Sequence, residues 1–110
     1  MEIPLKGDIV VIPFPFSDLS ASRKRPALVV ANLTGDDVIL SQITSAAKSD
    51  QYSISLAKND FNAGNLKMES RIRPNRLFTA DKSILEYKAG TLKKEKIKEV
   101  EQKLISIFTK

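Results

Sequence analysis

Cysteine and histidine are both absent from this 110-residue chain. That rules out a thiol nucleophile, a thiolate or imidazole metal site, a Ser/His/Asp triad and a histidine general base. It also rules out a disulfide, and a cysteine-free chain fits a reducing cytoplasm. No stretch approaches the roughly 18 apolar residues that span a bilayer, and the opening Met-Glu-Ile-Pro-Leu-Lys-Gly-Asp has no apolar segment of signal-peptide length. The expectation is a soluble cytoplasmic protein with no membrane contact. Hydrophobic residues make up 42% and charged residues 28%, which is ordinary globular usage. At this length about 65% of the unfolded surface can be buried, so one domain over residues 1–110 is expected, folding without metal or disulfide.

The charge is unevenly placed. Lysine plus arginine number 18 against 13 acidic residues, a net charge of +5, which favours an anionic partner. The arginines fall in two short segments, Arg23 with Arg25 and then Arg71, Arg73 and Arg76, while the lysines are scattered. A guanidinium presents a planar fork of donors that grips phosphate through two bonds, so clustered arginine reads as a phosphate-binding surface as readily as a solvated one.

Hydrophobic patterning points to a mainly β chain. Asp8 to Phe14 is a short β-branched run, a buried strand that bends where Pro13 and Pro15 stand. Ser17 to Lys24 reads as a loop. Pro26 is expected to open a second strand, which continues over Ala27 to Ala31 and returns through the Thr-Gly-Asp-Asp turn into Val38 to Ile43. Gln51 to Leu56 alternates in period two and reads as a fourth strand, and Asn59 to Leu66 reads as a loop. A fifth strand is expected over Met68 to Arg73, with Arg71 and Arg73 on one face. Asp81 should cap a helical turn running to Leu85, and Glu86 to Ala89 is expected as another strand before Gly90. From Lys93 onward, Ile97, Val100, Leu104 and Ile107 recur at helical spacing between Lys and Glu. Five or six strands and one terminal helix predict a small, strongly bent antiparallel barrel that the helix closes on one side.

A family resemblance then emerges. Gly7-Asp8-Ile9-Val10-Val11, Lys24-Arg25-Pro26-Ala27-Leu28-Val29-Val30 and Ile43-Thr44-Ser45 resemble the MazF/PemK toxin endoribonucleases. So do Asp60-Phe61 with Gly64 and Leu66, Ser70-Arg71-Ile72-Arg73, Phe78-Thr79-Ala80-Asp81-Lys82 and Lys88-Ala89-Gly90-Thr91-Leu92, in the family's order. The resemblance implies an SH3-like barrel that forms a homodimer, cuts single-stranded RNA without metal or cofactor, and is silenced by a cognate antitoxin protein. It implies Arg25 and Thr44 as catalytic residues, with Arg73 in support. Arg23, Lys24, Ser45, Arg71, Asn75 and Arg76 are the candidate RNA-binding residues. In one branch of the family an Arg followed two residues later by Asp forms the acid and base pair. Here Asn75 stands at the acidic position, and an amide cannot take up a proton as a carboxylate does. A second branch carries Gln-Ile-Arg where this chain has Arg76-Leu77-Phe78.

Metal-free RNA cleavage requires attack of a ribose 2′-hydroxyl on the adjacent phosphorus and stabilisation of the charge that gathers there. Arg25 suits the second task and Thr44 can hold the phosphate in line. Asp18 is a candidate base, and Phe14 and Phe16 read as core or as base-stacking surfaces. Two rival functions from other classes stand beside this one. One is an RNA-binding barrel in which the same arginines grip phosphate without catalysis. The other is a toxin of related fold that poisons a DNA topoisomerase through its terminal helix, which the sequence disfavours because such a toxin does not require Arg25 and Thr44. The loops over Ser17 to Lys24 and Lys48 to Gln51 are where base preference is expected to be set.

Overall fold

The computed structural model describes residues 3–14, 23–45 and 50–110. Among them seven strands form one antiparallel sheet: β1 (Asp8–Phe14), β2 (Arg23–Asn32), β3 (Asp37–Thr44), β4 (Ile54–Leu56), β5 (Phe61–Gly64), β6 (Ser70–Asp81) and β7 (Tyr87–Leu92). They run in the order β4-β6-β3-β2-β1-β7-β5. The sheet curls into a half-barrel, and helix α1 (Lys94–Phe108) packs on it. No described helix is long and apolar enough to cross a membrane.

Period-two alternation on the central strands explains the curl. Ile9, Leu28, Ile43 and Ile72 point to one side and join Phe61, Leu92 and Val100 in an interior cluster. Val10, Ile12, Val29, Val38 and Leu40 point to the other side and form a second cluster with Ala80 and Leu85. Both faces of the central strands are therefore buried, which is why β1 reads as a continuous apolar run rather than an alternating one. At the end where β1 starts and β2 finishes, α1 lays Ile97, Val100 and Leu104 on the interior cluster. Gly7 makes that approach possible, since a Cβ there would lie 2.4 Å from Ile97 Cδ1 and the residue holds a φ of +96°. Asp8, buried beside it, accepts from the Leu5 amide at 2.8 Å and the Thr91 hydroxyl at 3.1 Å. Lys96 ties the helix start to both ends of the sheet, donating to the Ser55 carbonyl of β4 and pairing with Asp60 just before β5.

Several strands differ from their expected bounds. β2 begins at Arg23, and Pro26 sits within it opposite Val11. The ladder to β3 starts only at Ala27↔Gln42, so Pro26, which has no N–H to give, lies where one neighbour suffices. β4 is confined to Ile54–Leu56 because the Asp50 side chain captures the amides of Tyr52 and Ser53 in a turn. The segment expected as a loop over Asn59 to Leu66 contains β5, which pairs with β7. Gly64, at φ +73° and with no room for a Cβ beside the Ala89 carbonyl, allows that close pairing. β7 in turn extends through Gly90 to Leu92. β6 starts at Ser70 rather than Met68 and runs on to Asp81, with residues 74–76 bulging out between Arg73↔Gln42 and Leu77↔Ser41. Buried Pro74 suits that unpaired position, and the buried Ser41 hydroxyl donates to the Arg73 carbonyl at 2.7 Å. Asp81 caps the following turn through the Ser83 amide, as its sequence context predicts.

Candidate nucleic-acid interface at the open end of the half-barrel

With α1 across one end, no described element crosses the opposite end, where β1 leaves the interior, β2 enters it and β3 finishes. The segment 65–69 runs from the end of β5 to the start of β6 and walls this opening. A groove of about 380 Å³ results, lined by Val11 of β1, Lys24, Arg25 and Pro26 of β2, Ile43 and Ser45, the strap residues Leu66, Lys67 and Met68, Ser70, and Tyr87 of β7. Among the described residues its floor is apolar, its rim carries three cations, and no acidic side chain lines it. A second cleft of about 500 Å³ shares Ser45 and Ser70 with the first and is lined by Arg71, Ser55 and Glu69. The two form one path over the rim.

Of the sequence candidates, Lys24, Arg25, Ser45 and Arg71 line this path, and strand register sets Thr44 beside it although it lines neither cleft. Arg25 lies opposite Ile12, and Thr44 lies opposite Arg71, which in turn lies opposite Ser55. Carried two residues past the last β2–β3 pair, the same register sets Arg25 level with Thr44. Arg25, Thr44 and Arg71 thus stand in a row across three strands at the rim, each half-buried. The Arg25 and Arg71 guanidinium groups have no hydrogen-bond or ion-pair partner among the described residues, and the two residues line the first and the second cleft respectively. Lys24 is exposed and pairs with Glu86 at 3.4 Å.

Arg73 is placed differently. It shares the face of Arg71, as the alternation predicts, but its Nη2 donates to Asp50 Oδ2 at 3.1 Å. Asp50 is held in turn by the Tyr52 and Ser53 amides at its other oxygen, 2.9 and 2.8 Å away. The Tyr52 amide foremost, and then Arg73, keep the Asp50 carboxyl below the usual carboxylate range. Arg73 therefore braces the Asp50 turn against β6, one ladder step beyond the cleft. Asn75 and Arg76 are exposed in the β6 bulge and line neither groove. Arg23 opens β2 opposite Phe14. Phe16, Asp18 and most of the two loops expected to set base preference lie outside the described residues, as do the Arg23 and Phe14 side chains.

Sequence reasoning missed Lys67, Met68, Ser70 and Tyr87. Their only signal was polar or exposed character in segments with no clear period, and their convergence needs the strap to cross from one side of the sheet to the other.

Over residues 5–108 the sequence matches the family described as PemK-like, MazF-like toxin of type II toxin-antitoxin system. The chain belongs to this family. Among curated proteins none matches it. Solved structures similar to it include MazF from Deinococcus radiodurans, at 21% identity, with 100% of each chain covered and a TM-score of 0.75. The MazE-MazF complex of the same organism reaches 22% identity, 97% coverage of each chain and a TM-score of 0.76. An endoribonuclease in complex with its cognate antitoxin, from a Mycobacterial species, matches at 14% identity, covering 96% of this chain and 95% of that one, with a TM-score of 0.76. At these identities the likeness is one of fold, and the MazF-like fold is the half-barrel with its C-terminal helix.

Proposed function

We propose that this member of the MazF-like toxin family is a sequence-specific endoribonuclease that cleaves single-stranded RNA without a metal, at the path running over the rim of the open end. The observation that carries the reading is the row of Arg25, Thr44 and Arg71 beside a cation-rimmed groove, in a chain whose family is one of toxins. The endoribonuclease activity of the Mycobacterial relative supports it.

In this reading the phosphate backbone lies along the rim, gripped by Lys24, Arg25, Lys67 and Arg71, with Ser45 as a neutral donor. The ribose 2′-hydroxyl attacks the adjacent phosphorus. The new bond joins the 2′-oxygen to phosphorus, the bond from phosphorus to the 5′-oxygen breaks, and the products are a 2′,3′-cyclic phosphate and a 5′-hydroxyl. The proton lost from the 2′-oxygen is balanced by the one gained at the 5′-oxygen. Arg25 stabilises the charge on the two non-bridging oxygens, which is greatest at the transition state. Thr44 orients the same phosphate. Arg73 supports the site through β6 rather than by direct contact, because Asp50 occupies its fork. Arg23, Asn75 and Arg76 extend the contact to flanking nucleotides.

The toxin acts in the cytoplasm as a homodimer. Its antitoxin presents an acidic segment to the same cations, so that RNA and antitoxin compete for one surface. Incubating the purified chain with a long single-stranded RNA in chelator, then identifying the fragment ends, tests the reading. Cyclic-phosphate ends are expected. Intact RNA with folded, antitoxin-free protein would refute it.

A further inference from the structure

Among the described residues Tyr87 is the one aromatic side chain lining the groove, and it is largely exposed. In β7 Gly90 and Leu92 are buried, whereas Tyr87 and Lys88 at its start are exposed, Tyr87 by 53% opposite Val11. Its hydroxyl has no partner among the described residues. A tyrosine so placed offers a flat apolar ring to whatever fills the groove. Met68, 66% exposed, lines the same groove from the strap and offers a second apolar surface. Lys24, Arg25 and Lys67 line the same groove, with no carboxylate among the described lining residues. Val11 lies between Tyr87 of β7 and Pro26 of β2, two strand spacings or about 10 Å apart, and Arg25 is the next residue along β2. Cations for the backbone interleaved with an exposed ring for a base is the arrangement by which proteins hold single-stranded nucleic acid.

We propose that Tyr87 is the stacking platform for one nucleobase of the bound single strand, next to the phosphate held at Arg25, with Met68 closing over the other face of that base. The inference rests on the RNA-cleaving reading and adds to it a base subsite. Stacking accepts any base but holds purines more firmly, so this subsite sets a graded preference rather than a strict requirement. An acidic protein segment would draw on the same cations but has no need of the exposed ring.

The test measures binding, separated from cleavage by a strand carrying 2′-O-methyl groups throughout. Tyr87→Leu keeps an apolar side chain on the strand but removes the ring, and should weaken binding by about 5- to 150-fold. Tyr87→Phe should bind within about threefold of wild type, since the ring supplies the stacking. Inorganic polyphosphate, which has charge and no bases, should bind wild type and Tyr87→Leu alike. The chain has no tryptophan and two tyrosines, so on a Tyr52→Phe background the strand should quench Tyr87 fluorescence while polyphosphate should not. Equal losses for the strand and for polyphosphate would overturn the proposal. So would an unchanged affinity of Tyr87→Leu for the strand, and if Arg25→Ala still weakened binding the cleavage reading would survive that result. Failure of wild type to bind the strand at all would overturn both. Loss of antitoxin binding without loss of strand binding would assign Tyr87 to the protein partner instead and refute the base subsite.

Discussion

Replacing Gly7 with alanine tests how the half-barrel is closed. The added Cβ would stand 2.4 Å from Ile97 Cδ1 and 3.1 Å from Ile97 Cγ1, at a backbone φ of +96°. Holding a non-glycine residue at positive φ costs about 1–3 kcal/mol, and forcing an extra carbon into a filled contact costs about 1–3 kcal/mol more. Gly7→Ala should therefore lower stability by about 2–6 kcal/mol, the sum of those ranges. Ile97→Val removes the Cδ1 that the new carbon would strike and alone costs about 0.5–1.5 kcal/mol. In the double variant the worst overlap is gone while the backbone strain remains. The two changes should couple favourably, the pair costing less than the sum of the singles by about 1 kcal/mol or more. Urea unfolding followed by far-ultraviolet circular dichroism measures each corner of the cycle. Additivity within about 0.5 kcal/mol would refute the packing of α1 on Gly7, and with it the argument that the opposite end is the open one.

Removing the Arg25 guanidinium by Arg25→Ala should slow cleavage by about 10²- to 10³-fold at unchanged thermal stability, measured with a fluorescent RNA under single-turnover conditions. Ile72→Ala, at a fully buried interior position, should cost about 2–5 kcal/mol in urea unfolding. The depressed Asp50 pKa has a pH consequence. Its stabilising contribution is present above the ordinary value of 3.8 and is lost as the pH falls through the lowered folded-state value. Wild type should therefore lose stability relative to Asp50→Asn on acidification below about pH 4, the difference between them staying constant above about pH 5. A difference that kept changing between pH 5 and 7 would mean that the Asp50 turn is not what titrates.

What could be read from the sequence was whatever rests on local pattern. The β1 run and the amphipathic face of α1 declare themselves through period and β-branching, and Asp81 through its capping position. Arg25 and Thr44 entered by resemblance, and the sheet register then placed them level with one another. Pro26 misled, because a proline inside a strand is tolerated only where a neighbour is missing, and that depends on where the β2–β3 ladder begins. Residues 61–64 carry too little apolar pattern to announce a strand, and β5 forms because Gly64 and Gly90 let two backbones meet. The groove was the least legible part. Tyr87 and Lys67 are far apart in sequence and come together only when the strap crosses the half-barrel. Arg73 shows the converse, since its guanidinium donates to a carboxylate, Asp50, that no local pattern tied to it.

The central claim is that the rim of the open end cuts RNA through the ribose hydroxyl, and one substrate tests it most directly. A single-stranded RNA cut at a mapped position is prepared again with one 2′-deoxyribose on the 5′ side of that bond, and both are incubated in chelator with wild type and with Arg25→Ala. Wild type should cut the all-ribose strand to a cyclic-phosphate end and leave the substituted bond intact, with Arg25→Ala slow on the first strand. Cleavage of the substituted bond at the wild-type rate would contradict 2′-hydroxyl attack, and full activity in Arg25→Ala would take the chemistry away from this rim.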